Sequence, residues 1–260
     1  MSEGRLRAER DGAVGRLVLD NPAKLNSLNA AMWAAIPAAV GEFAADETVR
    51  CIVVQGAGGK AFSVGADISE FGQKRDSAAQ IAAYDRTNAA AYRALATVAK
   101  PVIAQIEGFC IGGGLAVALA CDLRYCEESA RFAIPAARLG LGYGAEGTRR
   151  LVATVGHAAA REILFSARRY GAGEALAMGL VNAVKPAAEL DGFVRGIAAE
   201  LGANAPLTMA AAKAVINALA TGEADLAVAE AAVARCMASE DYAEGRRAFL
   251  EKRSPAFKGR

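Results

Sequence analysis

Two glycine-bearing loops are the parts of this sequence whose residue types best suit chemistry. Gly112, Gly113 and Gly114 precede Leu115–Ala120, an apolar run of good helix formers. The first N–H groups of a helix have no partners within it, and the helix dipole makes that end attractive to negative charge. This segment therefore suits an anion, or a carbonyl oxygen that becomes an anion during a reaction. The glycines are equally compatible with close helix packing alone.

The second loop occupies residues 56–71 and reads G-A-G-G-K-A-F-S-V-G-A-D-I-S-E-F. It follows Cys51–Gln55, which has the apolar, β-branched character of a buried strand. Val102–Ile106, shortly before the glycine triplet, has the same character. Because each loop follows a predicted strand, the two loops can bring two backbone N–H donors to one point.

The chain resembles the crotonase (enoyl-CoA hydratase/isomerase) superfamily at five motifs, whose order and spacing also match over nearly the whole chain. The motifs are L-N-S-L at 25–28, A-F-S-V-G-A-D at 61–67, G-G-G at 112–114, C-D-L-R at 121–124 and F-A-I-P at 132–135. The resemblance implies an α/β fold, a spiral of β-β-α units with a C-terminal helical region. It also implies an acyl-CoA-binding core over 1–195, a helical region over 196–260 for oligomerisation and pocket cover, and a homotrimer or homohexamer.

The resemblance further implies an oxyanion hole formed by the backbone N–H groups of Ala66 and Gly113, which would hold the thioester carbonyl of an acyl-CoA. Coenzyme A enters as part of the substrate, and no permanently bound cofactor or metal is implied. The implied coenzyme A contacts are Ala23, Lys24, Leu25, Asp67, Ile68, Ser69 and, for the phosphates, Lys258. Lys24 and Lys258 are also compatible with solvated surface positions.

The chain departs from the family pattern at both catalytic acids. Family hydratases carry one glutamate two residues after the glycine triplet, where this chain has Ala116, and another after the proline of F-x-x-P, where it has Ala136. Hydration needs a base for water and an acid for the α-carbon, and alanine supplies neither. The usual glutamate of the isomerases also stands at the second position. The family resemblance therefore predicts the fold better than it predicts the reaction.

Two ionisable residues in the loop over 139–148 are candidate replacements. Tyr143 and Glu146 stand where hydratases have proline and glycine, and some decarboxylating relatives carry a tyrosine at the matching place. A glutamate facing an apolar pocket would have a raised pKa and could donate a proton. We therefore predict Glu146 as the acid or base and Tyr143 as its helper. The alternative for Glu146 is complementing the dipole of a helix that starts near Thr148.

Composition excludes several classes of function. With 260 residues, 54% of them hydrophobic, and a net charge of +2, the chain can build a large core but gives no electrostatic case for nucleic acid or an anionic membrane. It has no apolar run of about 20 residues and no pattern of a signal or transit peptide. Its five cysteines are odd in number and form no C-x-x-C pair, which favours a reduced, cytoplasmic protein.

Three other functions are compatible with parts of the sequence. Residues 56–61 imitate a dinucleotide fingerprint, but that fingerprint must open a helix, and the residues after it do not. A serine hydrolase is disfavoured because Ser63 lacks the G-x-S-x-G elbow and His157, the one histidine, has no evident partner and suits a surface or capping role. A catalytically inactive acyl-CoA-binding relative would also show the loss of both glutamates.

Local signals predict most of the elements. Asp11-Gly12 joins two strands in a hairpin, Asn29 caps a helix over 30–45, and Ser77 caps a helix over 78–99. Pro37 predicts a kink or break after Ile36. Further predicted strands are Leu123–Cys126, Arg131–Ile134 and Leu180–Val184, and terminal helices start near Ala188, Pro206, Glu223 and Ser239.

These observations together predict an acyl-CoA-processing lyase or isomerase of the type found in fatty acid metabolism, whose reaction passes through a stabilised thioester enolate. The alternatives are a decarboxylase or isomerase that uses Tyr143 and Glu146, or the inactive binder. The acyl group remains open at this point.

Overall fold

Most strands belong to a six-stranded main sheet. The computed structural model describes residues 4–70, 76–221 and 226–260. The strands of the main sheet are β1 (Arg5–Asp11), β2 (Val14–Asp20), β3 (Cys51–Gly56), β5 (Val102–Ile106), β7 (Leu123–Glu127) and β10 (Ala183–Lys185). They lie in the order β1-β2-β3-β5-β7-β10, and all neighbours are parallel except the hairpin of β1 and β2. The predicted hairpin is thus confirmed.

A second sheet of four short strands runs beside the first. It contains β4 (Ala61–Ser63), β6 (Phe109–Ile111), β8 (Arg131–Ala133) and β9 (Tyr170–Gly171), in the order β4-β6-β8-β9. The strands β4, β6 and β8 are parallel, and β9 is antiparallel to β8. Sequence reasoning did not find β4 or β6, because three residues are too few to show a period.

The described helices complete a repeating pattern. They are α1 (Ala30–Ala45), α2 (Ala78–Thr97), α3 (Gly113–Ala120), α4 (Ala145–Ser166), α5 (Ala172–Ala177), α6 (Ala187–Ala203), α7 (Pro206–Thr221), α8 (Leu226–Met237) and α9 (Glu240–Glu251). Three times in succession, a main-sheet strand leads to a strand of the second sheet and then to a helix. This order confirms the predicted spiral of β-β-α units with a helical C-terminal region.

Two helix starts form as their sequences predict. The Asn29 side chain accepts a hydrogen bond of 2.8 Å from the Met32 N–H at the start of α1. At the start of α2, Ser77 Oγ accepts from the Gln80 N–H, and the Gln80 side chain accepts from the Ser77 N–H in return. Each cap satisfies N–H groups that have no partner inside the helix, and a cap of this kind contributes about 1 kcal/mol.

The predicted break at Pro37 is wrong, because α1 continues through it from Ala30 to Ala45. A proline inside a helix removes one hydrogen bond and costs roughly 3 kcal/mol. Ile36, Val40 and Phe43, which flank Pro37 on the inner face of α1, are all buried. Their packing against the rest of the core outweighs the local cost, since tertiary packing supplies most of the stability of a helix.

Other differences concern boundaries. The strand predicted over Leu180–Val184 is displaced to Ala183–Lys185, and α4 begins at Ala145 rather than near Thr148. The helix start predicted near Glu223 lies outside the described residues. The division predicted after residue 195 falls within α6, whose buried face packs on β3, β5 and β7 through a second hydrophobic cluster.

A partly buried ion pair fastens α7 to the core. Lys213 Nζ donates to Asp122 Oδ2 at 2.8 Å and to the carbonyl oxygens of Leu95 and Lys100 at 3.3 and 3.2 Å. Asp122 Oδ2 also accepts from the Val102 N–H at 2.7 Å. The pair therefore joins the C-terminal helices to the junction of α2, α3 and β5.

We expect Lys213→Met to lower the free energy of unfolding by about 2 kcal/mol at neutral pH, because Asp122 loses its cation. The value lies below the roughly 3–5 kcal/mol of a fully buried pair, since 30% of the Asp122 side chain is exposed. Burial raises the pKa of Asp122 even beside Lys213, and removing the lysine raises that pKa further. A carboxyl group with a raised folded-state pKa takes up a proton on folding, so the deficit shrinks as the pH falls through that pKa.

Urea unfolding at pH 7 and pH 5 measures both effects. Lys60→Met is the matched control, because Lys60 is exposed. Equal stability of Lys213→Met and the unaltered protein at pH 7 would contradict the role of this pair.

Candidate active site

Parallel pairing in the second sheet brings the two glycine-bearing loops together. Strand β4 pairs with β6 through Ala61 with Phe109 and Ser63 with Cys110. Because the carboxyl ends of adjacent parallel strands lie at the same edge of the sheet, the loops that follow β4 and β6 begin side by side. Ala66 comes three residues after β4, and Gly113 comes two residues after β6.

The contact between the two loops depends on glycine residues, which have no side chain. A Cβ atom at Gly65 would lie 2.7 Å from the Gly113 nitrogen, and one at Gly114 would lie 2.3 Å from the Ser63 carbonyl oxygen. Gly65 also has a φ of +88°, which side chains disfavour. The backbones approach more closely than any other residue type permits.

The N–H groups of Ala66 and Gly113 are left without a hydrogen-bond acceptor among the described residues. Ala66 forms a parallel bridge with Leu28, but its own N–H takes no part in it. The two hydrogen bonds of the bridge run from the Leu28 N–H to Gly65 O and from the Asp67 N–H to Leu28 O. Gly113 is the first residue of α3, so its N–H has no partner within the helix. A Cβ atom at Gly113 would lie 3.5 Å from the Ala66 nitrogen, so two open donors lie next to each other.

Ala116 and Ala136, at the two positions where the family resemblance implies carboxylates, are both buried near these donors. Ala116 lies in the first turn of α3 and is 3% exposed, and Ala136 lies in the 3-10 turn Pro135–Arg138 and is 6% exposed. The Gly112 N–H donates to Ala133 O at 2.8 Å, which fixes this turn beside the start of α3. Neither position contributes an acid or a base.

Tyr143 is partly buried, and its hydroxyl oxygen is fully buried with no hydrogen-bond partner among the residues that the structure describes. Its ring lies against Gly147, where a Cβ atom would be 2.8 Å from the ring. Burial, and secondarily the nearby Cys110 thiol, raise the pKa of Tyr143 well above its ordinary value. The side chain is therefore a protonated phenol at neutral pH, and it is available as a hydrogen-bond or proton donor.

Glu146 differs from the sequence expectation in two respects. It lies in the first turn of α4 instead of a loop, and its carboxylate accepts hydrogen bonds from Arg149 at 3.0 Å and Arg150 at 2.9 Å. Burial would raise the pKa of Glu146, but the two guanidinium groups together hold it below its ordinary value. The expectation of a raised pKa is thus wrong, because the positive charges of Arg149 and Arg150 outweigh the effect of burial. At neutral pH Glu146 is a carboxylate, so it cannot be the proton donor in this state.

The comparisons with known proteins agree with this architecture. The family model described as Enoyl-CoA hydratase/isomerase matches residues 9–260. A short-chain-enoyl-CoA hydratase of Clostridium acetobutylicum is 35% identical over 255 residues, covering 97% of each chain. The chain belongs to the enoyl-CoA hydratase/isomerase family. Carnitinyl-CoA dehydratase of Salmonella agona is 35% identical over 266 residues and the full length of both chains.

Solved structures of the family have the same fold. An enoyl-CoA hydratase/isomerase family protein from Hyphomonas neptunium is 38% identical and superposes with a TM-score of 0.93 over 98% of each chain. An enoyl-CoA hydratase/carnithine racemase from Magnetospirillum magneticum gives a TM-score of 0.92 at 35% identity, covering all of this chain and 97% of that one. The protein is thus an acyl-CoA enzyme of this family.

Most of the coenzyme A positions implied for this family member lie together. Lys24 Nζ donates to Asp67 Oδ2 at 2.7 Å and to Ser69 Oγ at 3.0 Å, which joins the segment 23–25 to the segment 67–69. Burial would raise the pKa of Asp67, but hydrogen bonds from Lys24 and Ser69 hold it below its ordinary value. Ile68 is 72% exposed. Apart from Asp67, which is buried, these residues are exposed and form a rim beside the Ala66 N–H.

Two predicted residues lie elsewhere on the enzyme. The Lys258 side chain is exposed, and its backbone N–H donates to Asp241 Oδ1 at 2.6 Å, on α9. No contact within the described ranges connects Lys258 to the Lys24 rim. His157 is exposed and follows Gly156, which interrupts α4 with a φ of 74°, so it has the expected surface position.

Sequence reasoning missed Trp33, which packs directly against the paired donors. Its Cζ2 atom would be 3.3 Å from a Cβ atom at Gly113, and the side chain is completely buried. Trp33 is the single tryptophan of the chain. That rarity was an available signal, although nothing in the sequence placed the inner face of α1 beside the glycine triplet.

Other features of the enzyme do not contribute to this site. A surface cleft of about 640 Å³ lies beside Arg131 and Arg169, and neither Ala66 nor Gly113 lines it. Cleft size is therefore a poorer guide here than the two open donors. Within residues 4–70, 76–221 and 226–260, no cluster of three or more histidine, cysteine or acidic side chains could hold a metal ion. No helix in the same ranges has the length and apolar character needed to cross a bilayer.

We expect Gly114→Ala to destabilise the enzyme by about 3 kcal/mol, because the methyl group overlaps the Ser63 carbonyl oxygen in a buried contact. For a protein of this size, that change corresponds to a fall of roughly 6–12 °C in the melting temperature. Calorimetry measures it, with Gly142→Ala as the control, since a Cβ atom at Gly142 meets nothing within 4 Å. Equal melting temperatures of the two variants would show that the loops are not in tight contact.

Proposed function

We propose that the enzyme binds an acyl-CoA and holds its thioester carbonyl oxygen with the N–H groups of Ala66 and Gly113. The observation that supports this most strongly is the pair of adjacent N–H groups without acceptors, one at the N-terminus of α3. A thioester enolate concentrates negative charge on that oxygen. Fixed donors at such an oxygen contribute roughly 3–4 kcal/mol each to the transition state in other enzymes, and the helix dipole adds to them.

Gly113→Ala tests this role in a variant that should fold. A Cβ atom there would meet Trp33 at 3.3 Å, which a small shift relieves, but it would lie 3.5 Å from the Ala66 nitrogen, where the substrate oxygen must approach. We expect kcat/KM for any acyl-CoA that the enzyme converts to fall at least a hundredfold. The melting temperature should stay within a few degrees, and Gly142→Ala should be fully active. An active Gly113→Ala enzyme would rule out this oxyanion hole.

We further propose that ordinary hydration is not the main reaction, because Ala116 and Ala136 cannot move protons. Crotonyl-CoA should be hydrated very slowly by the purified enzyme, as followed by mass spectrometry of the thioester. Ala116→Glu together with Ala136→Glu should raise that rate, and Ala116→Gln with Ala136→Gln is the matched control without the acids. A rate for the unaltered enzyme within the normal range of enzymes, about 1–1,000 per second, would show that another acid–base pair performs hydration.

Tyr143 is the proposed proton donor, and the ionised Glu146 lies three residues later in the chain. This assignment favours decarboxylation of a carboxyacyl-CoA as the candidate reaction in place of hydration. Loss of carbon dioxide breaks the bond between the α-carbon and the carboxylate and leaves its electron pair as the thioester enolate. No base is needed, and the Tyr143 hydroxyl then protonates the α-carbon and regains its proton from water. The apolar positions 116 and 136 and the protonated buried phenol support it.

Tyr143→Phe should lower kcat by roughly a hundredfold with little change in KM, as expected of lost general acid catalysis. Glu146→Gln should have a smaller effect than Tyr143→Phe, because the Glu146 carboxylate is paired with Arg149 and Arg150 and the proposed step needs no base. Because the pKa of Tyr143 is raised above the ordinary 10.0, the donor stays protonated and kcat should not fall with rising pH before about pH 10. A hydroxyl that titrates near pH 8 in the pH profile of kcat would contradict this assignment.

We propose that coenzyme A lies along Ala23, Lys24 and Leu25 and the backbone of Asp67, Ile68 and Ser69. Lys24 would exchange its partner Asp67 for a phosphate group of the ligand. Lys258 contacts this rim only if a second subunit supplies it, since its own chain holds it elsewhere.

We also propose a homotrimer or homohexamer. Large apolar side chains remain exposed on the C-terminal helices, including Leu219 at 72%, Val228 at 73%, Phe249 at 83% and Leu250 at 80%. Such a surface is typical of an interface between subunits. Light scattering measures the mass, and a monomer would contradict the proposal. The five free cysteines, four of them buried, support a reducing compartment such as the cytoplasm.

A further inference from the structure

The Ala66 N–H stands at the end of a chain of hydrogen-bonded amide groups. Gly65 O belongs to the same peptide unit and accepts a hydrogen bond of 2.7 Å from the Leu28 N–H. Ser27 O shares a peptide unit with that N–H and accepts a hydrogen bond of 3.0 Å from Asn21 Nδ2. The chain of donors therefore runs from the Asn21 carboxamide through two peptide units to Ala66.

The geometry of the peptide bond makes this chain directional. Both peptide units are trans, so the C=O and the N–H of each unit point in opposite directions. A donor held at the Gly65 oxygen thus aims the Ala66 N–H away from Leu28. Hydrogen bonds in a chain also polarise one another, which strengthens each of them by about 10–30%. The chain therefore fixes the direction of the Ala66 N–H and makes it a stronger donor.

The other open donor receives equivalent support from a helix. Gly112 O, in the same peptide unit as the Gly113 N–H, accepts from the Ala116 N–H at 3.1 Å in the first turn of α3. Ala66 lies in no helix, because it comes between β4 and the 3-10 turn Ile68–Glu70. The chain from Asn21 thus supplies for Ala66 what the helix supplies for Gly113.

The first donor of the chain is itself held in place. The Asn21 N–H donates to Asn26 Oδ1 at 3.0 Å, and the Asn26 N–H donates to Asn21 O at 2.8 Å. Asn26 Nδ2 also donates at 2.7 Å to the carbonyl oxygen of Ala61, the first residue of β4. Both asparagines are buried. The position of Asn21 is therefore fixed relative to the strand that leads to Ala66.

We propose that Asn21 is a positioning residue, whose carboxamide aligns and polarises the Ala66 N–H through the peptide units 27–28 and 65–66. The proposal rests on the oxyanion hole proposed above. It differs from a purely structural role, in which Asn21 closes the turn over 21–27 and nothing more. A structural role predicts lower stability with an unchanged donor, whereas the chain predicts a weaker donor at Ala66.

Isotope-edited infrared spectroscopy of bound butyryl-CoA measures the two donors directly. The thioester carbonyl carries a carbon-13 label, and the saturated acyl group can be neither hydrated nor decarboxylated. A hydrogen bond to a carbonyl oxygen lowers its stretching frequency. We therefore expect a lower frequency for butyryl-CoA bound to the unaltered enzyme than for free butyryl-CoA.

Two variants remove the first donor of the chain. Asn21→Ala and Asn21→Leu both lack Nδ2, but Asn21→Leu keeps the branched shape on which Gly4 packs. Each should lose about half of the frequency lowering, because the Gly113 N–H still donates. For an acyl-CoA that the enzyme converts, kcat should fall about tenfold with KM nearly unchanged, since a misdirected donor affects the transition state most. Asn204→Ala is the control, because Asn204 is exposed at the end of α6, and it should show neither effect.

A second measurement needs no variant. Ser27-Leu28 is the one Ser–Leu pair in the sequence, so carbon-13 carbonyl labels in serine and nitrogen-15 labels in leucine select a single amide resonance, that of Leu28. Binding of butyryl-CoA should move this resonance to lower field, because a new acceptor at Ala66 strengthens the other bonds of the chain. Leu28 is completely buried, so direct contact with the ligand does not produce this shift.

The outcomes distinguish the two proposals. The full frequency lowering in both Asn21 variants, an equal loss in Asn204→Ala, or an unmoved Leu28 resonance would overturn the role of Asn21 and leave the oxyanion hole intact. If butyryl-CoA does not bind, or binds with the carbonyl frequency of the free thioester, the oxyanion hole itself fails, and the role of Asn21 fails with it. Melting temperatures check folding, and if neither Asn21 variant folds, the Leu28 resonance decides alone.

Discussion

The candidate site depends on one close contact between two backbones. The loop after β4 touches the start of α3 at Gly65, Gly113 and Gly114, where Cβ atoms would lie within 2.3–3.5 Å of the opposing backbone. The contact places two N–H groups side by side and leaves both without acceptors. Since the geometry is formed by the backbone, it does not depend on rotamers and is already organised before a ligand arrives, which is the condition for effective electrostatic catalysis.

The rest of the fold holds that contact from the other end of α3. Arg124, which is buried, donates to the carbonyl oxygens of Cys121 at 2.7 Å and Leu180 at 2.9 Å, and its NH1 group reaches Ala118 O at 3.5 Å. A cation at the C-terminus complements the same helix dipole that attracts negative charge at Gly113. Asp122 then connects this end of α3 to β5 and, through Lys213, to α7. A helix of only eight residues is thus fixed at both ends.

The sequence was informative where a local rule governs the structure, and it was not where the partner is distant in the chain. Asn29 and Ser77 were found as caps because a cap needs only the next three residues. The short strands β4 and β6 exist because they pair with each other across 48 residues, so their own composition does not reveal them. Glu146 was assigned a raised pKa from its pocket environment alone. Arg149 and Arg150, three and four residues later on the same helix, reverse the shift, and the missed helix start at Ala145 concealed that spacing.

Alanine at positions 116 and 136 also affects how the two proposed donors would act. With alanine at 116 and 136, the surroundings of Ala66 and Gly113 are less polar, and a hydrogen bond to a developing charge is stronger in a low dielectric. Under the proposed function, the site would keep its capacity to stabilise an enolate, but neither alanine could create one by removing a proton. Chemistry that generates the enolate by breaking a carbon–carbon bond meets this constraint. It then needs only a donor such as the buried phenol of Tyr143, which burial keeps protonated. The apolar replacements and the protonated phenol thus support the same class of reaction for independent physical reasons.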